Sequence, residues 1–428
     1  MAHGHPLTRH PSPIRQASLR EHNLALVLRQ VATAGTRAGS ALGGRHPFSR
    51  ADIAGTTGLT RATVSTLVDD LIAGHLVVEV APTPRSGAGR PSVGLALDPR
   101  GPAGLGLEIN VDYLAACVVD LTGAVRHREV LHADQRPRSA ADVLAALADL
   151  AASSQRAAAE QGLKLAGAAL AVPGLVQSGT VRLAPNLGWR NVEIPDEIAG
   201  VPVHVDNEAN LAALGELFTN PHAGRNFVYV SGEIGIGAGV VVGGEILGGS
   251  RGFSGEIGHV AVQPNGPACR CGAHGCLEQY AGQEAILRAG GLLHAGAVMP
   301  VSTTRFRERA ALQLTEVPGP DIAAGARAGD RKVLSALDSA GTALGIVLAG
   351  MINLIDVDTV ILGGIYTRLE PWLHNHIARE LADRVLAADW APVAIRPSVL
   401  AEDAAVVGAG ASVVRTVWDH PAAWIPAR

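Results

Sequence analysis

Aromatic side chains are scarce in this chain: Phe, Trp and Tyr make up 3% of its 428 residues. A buried core must therefore be built from Val, Leu, Ile and Ala. Cysteine is scarcer, with four residues in all, too few for the disulfide framework of a small secreted scaffold. Charged residues reach only 17%, whereas the AVILMFWYC set reaches 47%. That balance excludes a disordered, highly charged chain. No apolar run is long enough for a bilayer. The longest nearly uncharged stretch, Ser339–Ile355, lies between Asp338 and Asp356 and contains Thr342, Asn353 and several Gly. It is read as a buried helix. Met1–Pro13 contains His and Pro but no apolar signal region, so a cytoplasmic protein with no membrane partner is expected.

Glycine, at 51 residues, is plentiful and implies many tight turns and close backbone approaches. At roughly 100–200 residues per domain, the length predicts two or three domains. Charge is unevenly spread. Residues 1–100 carry 11 Arg and no Lys against 6 acids, and the remainder carries 24 basic against 33 acidic residues. A basic head on an acidic body points to nucleic acid at the head.

The first 16 residues are expected to be flexible. From Ala17 to Ala34, Leu24, Val27, Leu28 and Val31 keep helical spacing. Ser49-Arg50-Ala51-Asp52 has the form of a capping box and opens a short helix. Thr56-Thr57-Gly58-Leu59 forms a turn, Thr60 can cap the next helix, and Gly74 ends it. Between those limits Val64, Leu67, Val68, Leu71 and Ile72 share one face, while Thr60, Arg61, Thr63, Ser65 and Thr66 occupy the first turn and the outer face. Short hydroxyls with an Arg suit phosphates and base edges. Leu76–Val80 and Ser92–Leu97 read as a hairpin with Arg85 and Arg90 at its Gly-rich tip, a wing able to reach a minor groove. Residues 17–98 are thus expected to be a winged helix-turn-helix that binds double-stranded DNA. The competing reading is a small helical dimerisation domain with an incidental basic loop.

Asp98-Pro99-Arg100-Gly101-Pro102 marks a junction. Strand and helix patterns alternate beyond it, giving an α/β body over 103–428. Strand-rich openings near 104 and 227 are consistent with two related halves. The sharpest motif is His259 followed by Cys269, Cys271 and Cys276, an H-x9-C-x-C-x4-C spacing. Three thiolates and one imidazole complete a tetrahedral, closed, structural zinc site, one Zn2+ per chain. His274 is a rival for His259. Glu256 and Glu278 flank this loop, and carboxylates with an Asn suit the hydroxyls of a sugar.

These residues resemble the ROK family (repressor, ORF, kinase) along nearly the whole chain. Gly255-Glu256-Ile257-Gly258-His259 is similar to that family's sugar-contact motif. Cys269-x-Cys271-Gly272-x-x-Gly275-Cys276-Leu277-Glu278 matches its zinc signature position for position, within a loop of about 255–278. Pro185-Asn186-Leu187-Gly188-Trp189 and Asp206-Asn207-Glu208-Ala209-Asn210 also resemble family segments. The winged head places the chain beside the regulator branch. The resemblance implies a two-lobed, actin-like (RNase H-like) body with a ligand cleft, and a sugar set of Asn186, Asn207, Glu208, Glu256, His259 and Glu278. Trp189 is a candidate for stacking on the sugar.

The kinase parts depart from the family pattern. Glu108-Ile109-Asn110 stands where the kinases carry Asp-x-Gly, and Glu233-Ile234-Gly235-Ile236-Gly237 where they carry Gly-Thr-Gly-Ile-Gly. Glu208 takes the place of the catalytic Asp. A carboxylate at Glu233 repels phosphate. The expectation is therefore no enzyme activity but a sugar-responsive transcriptional regulator, a repressor of carbohydrate-metabolism genes. It would act as a homodimer or homotetramer on a palindromic operator and be nucleoid-associated when bound. The alternatives are an ATP-dependent sugar kinase carrying a DNA-binding domain, or a regulator whose sugar cleft is vestigial.

Overall fold

The computed structural model describes residues 16–38, 47–81, 93–220, 223–294 and 321–426. Arg85, Arg90 and residues 1–15 lie outside the described residues. The chain divides into two compact units, Met1–Pro102 with Arg415–Arg428, and Ala103–Val414. The unit that opens at Ala103 thus ends before the last residues of the chain, which group with the head.

In the head, α1 (Gln16–Ala38) buries Leu24, Val27, Leu28 and Val31, the spacing seen in the sequence. Helix α2 (Arg50–Thr57) begins at a Ser49/Asp52 capping box and stops at Gly58, whose φ is +73°. Helix α3 (Arg61–Ala73) buries Val64, Leu67, Val68 and Leu71. Strands β1 (Val77–Val80) and β2 (Gly94–Leu97) pair antiparallel, Val77 opposite Leu97. Asp70, also buried on α3, receives the Arg20 guanidinium at 2.8 Å, as a buried carboxylate requires. The C-terminal residues join this unit through Asp419 to Arg29, His420 to Glu21 at 3.2 Å, and Trp424 and Ile425 against Gly74. This three-helix-plus-hairpin order is the winged helix-turn-helix pattern.

The body begins with β3 (Ala103–Ile109), β4 (Tyr113–Val119), β5 (Val125–His132), α4 (Ala140–Glu160) and β6 (Leu165–Val172). A small meander follows, β7 (Leu175–Gln177), β8 (Thr180–Ala184) and β9 (Trp189–Glu193), then β10 (Glu197–Ile198), β11 (Val201–Asn207) and α5 (Glu208–Thr219). The second half runs β12 (Phe227–Gly232), β13 (Ile236–Val242), β14 (Glu245–Ile246), α6 (Glu278–Ala281), α7 (Gln283–Ala289), α8 (Ile322–Arg327) and α9 (Arg331–Ile355). It closes with β15 (Thr359–Gly364), α10 (Ile365–Arg384), β16 (Ala394–Pro397) and α11 (Ala404–Asp419).

The sheets reveal a repeated plan. The first is ordered β10-β11-β6-β3-β4-β5 and the second β14-β13-β12-β15-β16. In each, a strand starts two antiparallel hairpins on one side and adds two parallel strands on the other. The two halves hinted at by the openings near 104 and 227 are therefore real topological repeats, and the body is a two-lobed α/β fold. Strands β3, β4, β12 and β15 are buried at every residue, as central strands covered on both faces must be. Contrary to the sequence reading, which counted only the shorter uncharged stretch, helix α9 is long and apolar enough by composition to cross a membrane. Yet Val333, Leu337, Leu344 and Leu348 are wholly buried in the core of the second lobe, as the sequence reading of a buried helix has it.

Candidate metal and effector site

The metal-type cluster is built on a loop stitched back on itself. His259 closes the short 3-10 turn Ile257–His259, and Cys276 pairs with Ala261 across an isolated bridge. Gly275, at φ +70°, lies so near Gln263 that an added Cβ would stand 1.6 Å from its carbonyl oxygen; only glycine fits there. The Nδ1 of His259 lies 3.8 Å from Cys269 Sγ, and Cys271 Sγ lies 3.6 Å from Cys276 Sγ. All four ligand atoms fall within 4.8 Å of one another. A tetrahedral centre with Zn–S bonds of about 2.3 Å separates its sulfurs by about 3.8 Å, so the donor set and spacing fit a metal ion. His259, and not His274, belongs to this group. With Nδ1 facing the thiols, Nε2 is left for another ligand.

Two carboxylates share this histidine. Burial raises the Glu256 carboxyl above its usual range; His259 opposes that rise and Glu278 adds to it. Burial also raises Glu278, again opposed by His259. Asn186 joins them from the 3-10 turn Pro185–Leu187. A Cβ placed on Gly235 would lie 2.8 Å from Glu278 Oε2 and 3.3 Å from Asn186 Nδ2, so these two side chains converge beside that glycine. Asn186, Glu256, His259 and Glu278 thus form one group of acceptors and donors.

The other two residues of the expected sugar set, Asn207 and Glu208, stand at the start of α5. Asn207 caps α5: its Oδ1 accepts from the N–H groups of Ala209 (2.8 Å) and Asn210 (3.4 Å), and its Nδ2 donates to Gly174 O at 2.8 Å. Glu208 lines a small cavity with Glu108, Glu233 and Glu402. Trp189 does not stand open for stacking. It is 4% exposed and packs in the core of the first lobe.

In the acidic cavity, Glu108 is 2% exposed. Its Oε1 accepts the Tyr113 hydroxyl at 2.6 Å, and its buried Oε2 has no hydrogen-bond partner. Burial, reinforced by Glu208, pushes this carboxyl up to about 8. Asn110 turns its Oδ1 back onto Val111 N at 2.7 Å and is itself buried. Tyr113 gave no functional signal in the sequence; it opens β4, where its hydroxyl reaches the Glu108 carboxyl on β3.

On the head, Thr60 accepts from Thr63 N at 3.2 Å and shares a 2.8 Å hydroxyl contact with Thr63 Oγ1, so both hydroxyls serve the cap. Arg61 and Thr66 are exposed on α3, and Thr63 and Ser65 are half-buried. Arg50 is tied to Asp69 and Glu79 at 2.7 and 3.0 Å.

A model of the ROK family matches residues 104–416. The chain belongs to the ROK family. The xylose repressor of Bacillus spizizenii is 30% identical over 379 residues, covering 87% of this chain and 92% of that protein. A crystal structure of a ROK family transcriptional regulator, a homologue of the Escherichia coli MLC protein, superposes with a TM-score of 0.73. It has 26% identity and covers 94% of this chain and 97% of that one. A ROK family glucokinase from Streptomyces griseus, solved with glucose and AMPPNP, superposes with a TM-score of 0.60. It has 25% identity over 73% of this chain and 99% of the kinase. The repressor and regulator matches span head and body together.

Glu108–Asn110 and Glu233–Gly237 are the segments whose sequence stands where the family's kinases carry their phosphate loops. Phosphate binding calls for open backbone N–H groups and cationic partners. Glu108 and Glu233 bring carboxylates to the acidic cavity instead.

Proposed function

We propose that this protein is a sugar-responsive transcriptional repressor that acts in the cytoplasm on operator DNA. One observation carries the reading: the same chain joins a helix-turn-helix head to a ROK body in which Asn186, Glu256, His259 and Glu278 converge while carboxylates fill the phosphate loops. Helix α3 enters the major groove, with Arg61 and Thr66 on its exposed face and Thr60, Thr63 and Ser65 beside them. Arg85 and Arg90 of the wing reach the minor groove. The protein binds a palindromic site as a homodimer or homotetramer.

The sugar hydroxyls are held by the Glu256 and Glu278 carboxylates, Asn186 and the Nε2 of His259, with Glu208 and Asn207 at the adjoining start of α5. Zinc is the metal that suits three thiolates and an imidazole. It supplies no open coordination position and no chemistry on the ligand; it fixes the loop that carries His259 and Glu278. Because His259 serves both the metal and the effector, the metal loop and the sugar are coupled. Sugar binding that differs between two lobe arrangements shifts DNA affinity by about 5–150-fold, the usual range for a coupling of about 1–3 kcal/mol.

The deciding experiment is binding of genomic fragments by the purified protein, repeated with free and phosphorylated sugars. Xylose comes first because the similar Bacillus protein is a xylose repressor. A palindromic footprint altered by one sugar is the expected result; no specific footprint in any condition rejects the reading. The rival reading, a sugar kinase with a DNA-binding head, is tested on the same panel by ADP formation. Turnover that Glu208→Gln abolishes would establish it. For the metal, zinc content of about one per chain is expected, lost in Cys271→Ser; unchanged content in that variant would remove the assignment.

A further inference from the structure

We propose, on the metal reading given above, that Cys271 is an oxidation site: a hydroperoxide oxidises its sulfur, the oxidised sulfur closes a disulfide with Cys276, and the metal is released.

Exposure singles out one thiol of the cluster. Cys269 is 7% exposed and Cys276 is wholly buried, whereas Cys271 is exposed. The local backbone explains the difference. The chain turns back on itself over residues 268–274, where Ala268 bridges His274, Cys269 N donates to Ala273 O at 2.8 Å and Gly272 N donates to Cys269 O at 3.0 Å. Cys271 lies at the tip of that turn. Beside it, Gly272 has φ +95° and no atom within 4 Å of where a Cβ would stand, so the tip is open to solvent. Cys276 lies deeper, bridged to Ala261 and followed by Leu277, whose N–H donates to Val260 O at 2.9 Å. The remaining cysteine, Cys117, is buried on β4 with its Sγ against Val406 O.

Thiolate character and exposure set a cysteine's susceptibility to oxidation, and a thiol that ligates a metal is deprotonated. Cys271 combines the two. Its sulfur attacks one oxygen of the peroxide: an S–O bond forms, the O–O bond breaks, and hydroxide or alkoxide leaves. The sulfur, now a sulfenic acid, is oxidised by two electrons and the peroxide is reduced by two. Cys276 Sγ stands 3.6 Å from Cys271 Sγ and attacks the sulfenic sulfur; an S–S bond forms, the S–O bond breaks and hydroxide leaves. With hydrogen peroxide, two thiolates, one peroxide and two protons give one disulfide and two waters. The two sulfurs must close to about 2 Å, a movement open to the exposed tip that carries Cys271.

The disulfide takes two thiolates from the set of four ligands, and His259 with Cys269 cannot complete a closed tetrahedral site. Cys276 leads directly into Leu277 and Glu278, and His259 turns its Nδ1 to the cluster. Loss of the metal therefore loosens two members of the effector group. Thiol exchange in a reducing compartment reopens the disulfide, so oxidant disarms the sugar site reversibly.

The test treats full-length, zinc-loaded protein with a few equivalents of hydrogen peroxide. Zinc content is measured beforehand, release is followed with a colorimetric chelator, and thiols are counted in denaturant. Trypsin cleaves after Arg270 and Arg288, giving a peptide that holds Cys271 and Cys276 without Cys269. The expected result is release of about one zinc per chain, a fall from four free thiols to two, and a loss of two hydrogens from that peptide. Alkylation should mark Cys117 and Cys269 as the thiols that remain, and dithiothreitol with added zinc should restore thiols and metal together. Protein that contains no zinc before treatment would refute the metal reading and this inference with it. Zinc that is present and stays bound, with four thiols retained, overturns this inference alone. So does a disulfide through Cys269, a disulfide between two chains, or an oxidation that dithiothreitol does not reverse.

Discussion

Glu108 shows how much one residue's surroundings decide. In the sequence it is a single acid in a run of small and apolar residues; in the fold it is buried, bonded to Tyr113 and faced by Glu208. Burial lifts its carboxyl from an ordinary 4.5 to about 8, so the folded protein binds its proton more tightly than the unfolded chain does. The stabilising contribution is complete below about pH 4.5 and is lost as pH rises through about 8. Denaturant melts of metal-free protein at pH 5 and pH 8.5 should show this loss in the wild type. In Glu108→Gln, where no proton is exchanged, the difference between the two pH values should shrink. An equal pH dependence in both proteins would mean that Glu108 is not held in this state. Asn207 teaches the complementary lesson. Its place beside Glu208 suggests a sugar contact, and in the fold its amide also closes the N-terminus of α5 and reaches Gly174. A capping Asn and a ligand-binding Asn have the same appearance in a sequence, because both lie just before a helix.

At the scale of elements, the periodic segments were legible. Helix α9 runs Arg331–Ile355 and β6 runs Leu165–Val172, as the spacing of apolar residues indicates. The C-terminal glycines were not legible as helix. Gly408 and Gly410 lie inside α11, where propensity disfavours them. They are there because α11 crosses very near other backbone. A Cβ on Gly408 would stand 1.7 Å from Leu211 O, and one on Gly106 2.0 Å from Val406 O. Gly408→Ala should therefore destabilise the body by about 1–3 kcal/mol through overpacking, despite the better helix propensity of alanine. Chemical denaturation followed by circular dichroism measures this; a neutral or stabilising result would show that α11 can move away without cost. The meander β7–β9 was also missed as a sheet. Its strands are three to five residues long, too short to display an alternation that stands out from chance.

For the whole molecule, the charge asymmetry and the order of motifs agree with one arrangement: a DNA-reading head joined to a sugar-sensing ROK body. Arg61 is the described cation on the exposed side of α3. Arg61→Ala should weaken binding to operator and unrelated DNA alike and lower the salt dependence by about one counterion. Binding isotherms over a range of salt concentrations check this; unchanged affinity and slope would remove Arg61 from the interface. The same variant should respond to sugar as the wild type does, because the effector group lies within the other compact unit.

The linear sequence by itself determined the helix-turn-helix order, the α/β class, the metal-ligand spacing and the family, because each rests on residues near one another along the chain. A capping box, an amphipathic face and a C-x-C-x4-C loop are local patterns with local physical causes. The tertiary structure alone decided which distant residues meet. It set the two sheets in one repeated order, chose His259 over His274, buried Trp189, and gathered Glu108, Glu208, Glu233 and Glu402 around one cavity. Those outcomes depend on strand pairing and packing between segments up to three hundred residues apart, and no local pattern encodes which of many compatible partners a side chain will face.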